Sequence, residues 1–319
     1  MLTAPDFAKK QILFVFFNEG EKLAFSNDNV VVRNNSGKIK LQCTCYRLFM
    51  IFVIGHTSIT TPLIQTAKKF GFFIALMTPG FRLYSVIGAA KEGNTLLHKK
   101  QYEYMGFELA RHITINKMHN QLSELKSLRY RTDDMSDTIS RIECYLEKIK
   151  KAEGLGEIMA FEGLTAKEYF KNYFTNTDWK GRQPRLKKDY VNSALDVGYT
   201  LLFSFMDALL SSFGFDTYYG VMHQQFYMRK SLVCDLVEPF RPLIDHEIRK
   251  SINLKQFSEK DFIIINGQFR LKWENSAKYV NVLMQPLIDN KEGIFTFVQA
   301  YYRAFMKGLP ADKFPSFEI

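Results

Sequence analysis

The chain has 319 residues, enough for one large domain or two modest ones that each bury a core. Hydrophobic residues at 46% and charged residues at 24% exclude a disordered or fibrous chain, and the 15% of aromatic residues are mostly core, with some rings suited to stacking on bases. The net charge of +10 admits nucleic acid or an anionic surface as partner, and residues 1–100, with 13 Lys and Arg against 5 Asp and Glu, carry +8 of it.

The first ninety residues read as strands. QILFVFF, KLAFS, NVVVRN and KIKLQCTCY are rich in Val, Ile, Phe and Tyr, and turn residues such as Asn18-Glu19-Gly20 and Asn34-Asn35-Ser36-Gly37 separate them. LFMIFVIG follows as a buried-strand candidate, then a short helix around Thr61–Phe70 and the strand FFIALMT, closed by Pro79-Gly80. The apolar runs Ile12–Phe17 and Leu48–Ile54 are too short for a signal-peptide core or a spanning helix, so a cytoplasmic chain without membrane contact is expected. Cys43 and Cys45 sit two apart in an apparent strand, on one face; with Cys144 and Cys234 they form no C-x-x-C pair, and reduced thiols are expected.

After Gly88 the texture changes to long segments with apolar residues at helical spacing, such as Leu97, Tyr104, Phe107, Ile113 and Ile115. Pro is absent between Gly80 and Gln183, and Gln121–Lys151 reads as two charged helices joined near Thr132–Met135. The expected class is α+β: a small β-rich domain over residues 1–90, then a larger all-helical domain over residues 91–319. No GxxxxGK[ST] or GxGxxG stretch supports a nucleotide cofactor.

Three helical-half segments hold candidate chemistry. Glu162, in FEGLTAKEYF, reads as the start of a helix, where the dipole favours an acid whether or not it functions. His223 ends Gly220-Val221-Met222-His223, past an apolar helix (Val191–Phe213) and a turn at Gly214; a lone His in such company is often only packed. In SLVCDLVEPFRP, Ser231 reads as an N-cap. Asp235 and Glu238 share a helix face at the edge of a core, and Pro239 should kink or end the helix beside them. Jointly, Glu, His and Asp or Glu supply the oxygen and nitrogen donors that Mg²⁺ or Mn²⁺ accepts.

EGLTAKEYF, VNSALDVGYTLL, GVMH and SLVCDLVEPFRPLI, in this order, resemble the motifs of the CRISPR-associated Cas1 family. Asn192, Leu195, Gly198 and Tyr199 fit its N-x-x-L-x-x-G-Y helix; Ser231, Leu232, Asp235, Leu236, Glu238, Phe240, Arg241 and Pro242 fit its S-L-x-x-D-L-x-E-x-F-R-P helix. The resemblance covers nearly the whole chain. It implies an integrase in which a metal, held by Glu162, His223 and Glu238 with Asp235 as an adjacent acid (members differ in whether Asp or Glu fills the last position), promotes attack of a DNA 3′-hydroxyl on a phosphodiester. It implies homodimers formed through the β domain, the small partner protein Cas2, and double-stranded DNA partners, namely a prespacer and the CRISPR repeat and leader. Lys180, Arg182, Arg185, Lys187 and Lys188, with Trp179 and Pro184 interleaved, then read as a backbone-binding loop, and Arg229, Lys230 and Arg241 lie near a metal-bound phosphate. A general metal-dependent nuclease or branched-DNA resolvase would share every ligand, and a non-catalytic DNA-binding scaffold would share the basic residues.

Overall fold

A computed structural model describes residues 2–129, 133–175, 177, 179, 181–184, 186–223 and 226–319. In chain order the elements are α1 (Ala4–Ala8), β1 (Gln11–Phe17), β2 (Lys22–Ser26), β3 (Asn29–Arg33), β4 (Ile39–Thr44), β5 (Leu48–Gly55), α2 (Thr61–Phe70), β6 (Phe73–Met77), β7 (Leu83–Gly88), α3 (Thr95–Glu103), α4 (Glu108–Ser127), α5 (Asp133–Ile149), α6 (Leu155–Tyr173), α7 (Tyr190–Phe213), α8 (Ser231–Leu236), α9 (Arg241–Asn253), β8 (Phe262–Ile265), β9 (Gln268–Leu271), α10 (Ser276–Asp289) and α11 (Lys291–Lys307). The α+β expectation holds: a β-rich N-terminal region precedes a mostly helical remainder.

The chain divides into two compact units, one of residues 1–95 with 203–215, the other of residues 96–202 with 216–319. The first holds a four-stranded sheet ordered β1-β5-β6-β7 and a three-stranded antiparallel sheet ordered β2-β3-β4. β5 pairs in parallel with both β1 and β6. A central parallel strand is covered on both faces, which is why LFMIFVIG is almost continuously apolar and buried rather than alternating. Cys45 falls just past β4, in a one-turn helix, and is buried, whereas Cys43 is half-buried; all four cysteines are free. The end of α7 returns to this unit, where the Phe205 ring stands edge-on to Phe49 at 5.9 Å and tilted on Phe7 at 6.5 Å. α7 is long and apolar enough to cross a membrane, but 78% of its apolar window is buried inside the protein, as in a core helix.

In the second unit α4 is the central helix, packed by α5, α6 and α9. It begins at Glu108, well before Gln121, and ends at Ser127. The all-helical expectation needs one correction: β8 and β9 form an antiparallel hairpin. Its turn is Asn266-Gly267, both at positive φ (52° and 72°), a dipeptide suited to a two-residue hairpin turn.

Candidate metal centre

α4 carries a buried polar face. Thr114, Asn116, Lys117, Asn120, Gln121 and Glu124 are all buried, while Ile115, counted among the apolar positions by spacing, is partly exposed. Buried polar groups need partners. The Asn116 amide donates to Phe317 O (2.7 Å) and its carbonyl accepts from Phe317 N (2.9 Å), which straps the C-terminal tail onto α4. One turn on, Asn120 Nδ2 donates both to Phe317 O and to Pro239 O, each at 2.8 Å. Asn120 thereby fixes the peptide that follows Glu238.

Glu162 lies in the middle of α6, not at its start, so the helix dipole does not account for an acid there. Glu238 opens a single 3₁₀ turn, Glu238–Phe240, between α8 and α9, where Pro239 without its N–H ends α8 as its position suggested. The two carboxylates meet at one cation: Lys117 Nζ donates to Glu162 Oε1 and lies 2.6 Å from Glu238 Oε2. Glu238 Oε2 is buried, and this ammonium is the partner that balances its charge. Arg241, one-third exposed, pairs with Glu238 Oε1 at 3.1 Å. Burial would raise the Glu238 pKa, but the charges of Arg241 and Lys117 outweigh it and hold the carboxyl below its ordinary value. Burial likewise depresses Lys117, and the two carboxylates more than reverse this.

His223 is aimed by Asp235. Asp235 Oδ2 accepts from the backbone N–H groups of Val221 (2.6 Å) and Met222 (3.0 Å). Its Oδ1 accepts from His223 N at 3.0 Å and from His223 Nδ1 at 2.6 Å. These four donors fill the four acceptor sites of a carboxylate, so Asp235 has no lone pair left for a metal. In this arrangement Asp235 orients His223, whose Nδ1 donates to the carboxylate. The G-x-x-H turn needs its glycine for room, since a Cβ on Gly220 would fall 2.6 Å from Asp235 Oδ2 and 2.8 Å from Ser231 Cβ. Ser231 is the first residue of α8, with Lys230 at the cap position, and not the N-cap that its side chain suggested.

The basic residues divide. Lys180 and Arg185 lie outside the described residues. Arg182 is committed internally, bonding Asn192 Oδ1 (3.1 Å) and Asp196 (2.7 Å) and lying over the Tyr199 ring, so it pins the loop instead of standing free for DNA. Lys188 and Arg229 are exposed, and Lys187 is half-buried. Lys230 lies over the Tyr218 ring. The N-x-x-L-x-x-G-Y helix now has physical reasons. Asn192 ties the preceding loop to α7, a Cβ on Gly198 would strike Ile244 of α9 at 2.4 Å, and the Tyr199 hydroxyl donates to Asp245.

Asp245 yields a test of stability. Burial pushes its carboxyl up to about 7, against the opposing pull of Tyr199, Arg241 and Arg182, and its Oδ2 has no partner. An unfolded Asp titrates near ~3.9, so between about pH 4 and pH 7 the folded state holds a proton that the unfolded state has lost, and stability falls as pH rises. Asp245→Asn should melt like the parent at about pH 3 and more stably at about pH 8, by at most about 4 kcal/mol. A variant less stable than the parent at pH 8 would contradict this.

Among the described residues no three His, Cys, Asp or Glu side chains form a ready-made metal cage. The donor types nevertheless suit a hard divalent ion: the Glu162 and Glu238 carboxylates converge on a position now held by an ammonium, and the imidazole that Asp235 orients is of a kind such an ion accepts. Spacing and composition did not single out Lys117 or Asn120. Their signal was a polar stripe at three- and four-residue intervals along α4, which reads equally well as a wet face.

The sequence profile of the family described as CRISPR associated protein Cas1 matches residues 14–285. The CRISPR-associated endonuclease Cas1 of Leptospira interrogans serogroup Icterohaemorrhagiae serovar Lai is 30% identical over 178 residues, spanning 52% of this chain and 70% of that protein. A solved Cas1 protein from Thermotoga maritima has a similar fold, with TM-score 0.82 and 20% identity over 97% of this chain and all of the other. A chain of a Cas6-RT-Cas1–Cas2 complex gives TM-score 0.83 at 21% identity, where the match covers 97% of this chain and 36% of that longer one.

Proposed function

The chain belongs to the family of CRISPR associated protein Cas1, and from that premise we propose that it is a DNA integrase of CRISPR adaptation, joining the 3′-hydroxyl ends of short prespacer duplexes to the edge of a repeat at a Mg²⁺- or Mn²⁺-dependent centre. The observation that carries this reading is the meeting of Glu162 and Glu238, from separate elements, at one cationic position.

In the reaction the 3′-oxygen attacks phosphorus as the existing P–O bond breaks, and the departing 3′-oxygen takes up a proton. One phosphodiester replaces another and no external energy is needed. A divalent ion held by Glu162, His223 and Glu238 would supply charge stabilisation at a phosphoryl oxygen. Asp235 keeps the Nε2 lone pair of His223 available, Asn120 fixes the peptide beside Glu238, and Arg241 at the rim of the centre offers guanidinium hydrogens to the phosphate. The partners in this reading are double-stranded DNA, a second copy of the chain bound through the β-rich unit, and Cas2.

Incubation of the full chain with Cas2, Mn²⁺, a labelled short duplex and a supercoiled repeat plasmid tests it. Covalent transfer of label to the plasmid is expected. Hydrolysis without joining would support the nuclease reading, and DNA binding without either product would support the scaffold.

The basic groups at and near the surface give a separate expectation. Replacing Lys187, Lys188, Arg229 and Lys230 with Ala should flatten the dependence of log affinity on log salt by up to about 3.6 units, because each phosphate contact contributes about 0.9 to the slope. An unchanged slope would return these residues to a solvated surface.

A further inference from the structure

Lys117 occupies a place that lysine seldom takes. Its side chain is 5% exposed, in the middle of α4, and a buried ammonium is unfavourable unless charge and hydrogen bonds compensate it. Its neighbours on the same face are already committed, Asn116 to the tail and Asn120 to the tail and Pro239. The two carboxylates Glu162 and Glu238 are its partners. With Arg241 on the far oxygen of Glu238, the two negative and two positive charges cancel.

We propose that Lys117 is a built-in surrogate for the divalent ion: it holds Glu162 and Glu238 together in the metal-free protein, and metal binding must displace it from them. The inference rests on the metal-centre reading given above and deepens it. Two carboxylates brought together without a cation repel each other, and Lys117 removes that repulsion so that the pair stays ionised and in place. The same oxygens cannot serve both cations. A hard divalent ion takes carboxylate oxygens at about 2.0–2.2 Å, and an ammonium left on Glu162 Oε1 and Glu238 Oε2 would then stand against it as a close like charge. Added to a centre already neutral, the ion would leave an excess of +2; with the ammonium withdrawn the excess is halved. Affinity for metal is therefore set by competition, and Lys117 weakens metal binding while it stabilises the metal-free fold. Lys117 is in these terms a positioning residue for the two acids.

The test is calorimetric titration of Mn²⁺ into the full chain and its Lys117→Met and Lys117→Gln variants, with melting curves in chelator. Lys117→Met should melt lower than the parent in chelator and bind Mn²⁺ about tenfold more tightly or better, with Lys117→Gln, which keeps hydrogen-bond donors without the charge, in between. If Lys117→Met does not fold in chelator, Mn²⁺ should restore folding, because the ion replaces the missing cation. Equal or weaker Mn²⁺ binding in both variants, or a Lys117→Met protein that millimolar Mn²⁺ does not rescue, overturns the displacement and leaves the metal centre standing. Absence of Mn²⁺ binding in the parent as well would remove the metal centre itself and this inference with it.

Discussion

Glu162→Gln and His223→Ala are expected to abolish strand joining, by about a thousandfold or more, while affinity for duplex DNA changes by less than about tenfold. Each change removes one donor of the proposed ligand set, whereas contacts to the DNA backbone come from Lys and Arg elsewhere. Glu162 is the better of the two acids to test. Its side chain is 27% exposed, and Lys117 keeps Glu238 as partner when Glu162 is neutral. Glu238→Ala should be equally inactive, but it takes one of the two carboxylates from buried Lys117 and an ion-pair partner from Arg241, so its melting curve must be read alongside its activity. Joining at the parental rate in Glu162→Gln or His223→Ala would refute the centre. An active Glu238→Ala beside an inactive Asp235→Ala would reverse the roles assigned within that segment.

Asp235→Asn should lower joining by about a hundredfold and also destabilise the protein in chelator. An Asn side chain offers one oxygen where Asp235 serves four donors, and its amide hydrogens would face backbone N–H groups. Each buried N–H left unpaired costs about 1–3 kcal/mol, so the 220–223 turn loosens and His223 loses both tautomer and aim. The chelator measurement separates the roles: a ligand with no structural part would lose metal affinity and keep its metal-free melting temperature. A melt and an Mn²⁺ affinity both like the parent's would show that Asp235 neither orients nor ligates.

What was legible in the sequence had local causes. Strands of the first ninety residues declare themselves by β-branched runs and turn residues, and the break at Pro239 follows from a missing N–H. Glu162, His223 and Glu238 were singled out through motif order alone, because nothing in their spacing says that α6 and the turn after α8 converge. Lys117 was not legible. A lysine among Glu, His and Lys on a charged helix reads as solvated, and only the packing of α5, α6 and α9 around α4 puts that face indoors. The return of residues 203–215 to the first unit was hidden for the same reason, since Phe205 meets Phe7 and Phe49 across most of the chain length. The β8–β9 hairpin was different. Asn266-Gly267 between apolar runs is a local signal, and the helical texture around it masked it.

The tail and the candidate centre share a fastening. Asn120 spends its two amide hydrogens on Phe317 O and Pro239 O, so the last residues of the chain and the peptide after Glu238 hang from one side chain. Pulling on one end is felt at the other. Exopeptidase trimming past Phe317 would release half of that fastening and leave the Asn116 carbonyl and amide without partners as well. Anything that draws Phe317 off α4 would do the same, and what looked like harmless fraying would register as damage at the candidate centre. A change near Phe317 is therefore a variable to be controlled like any substitution at Glu238.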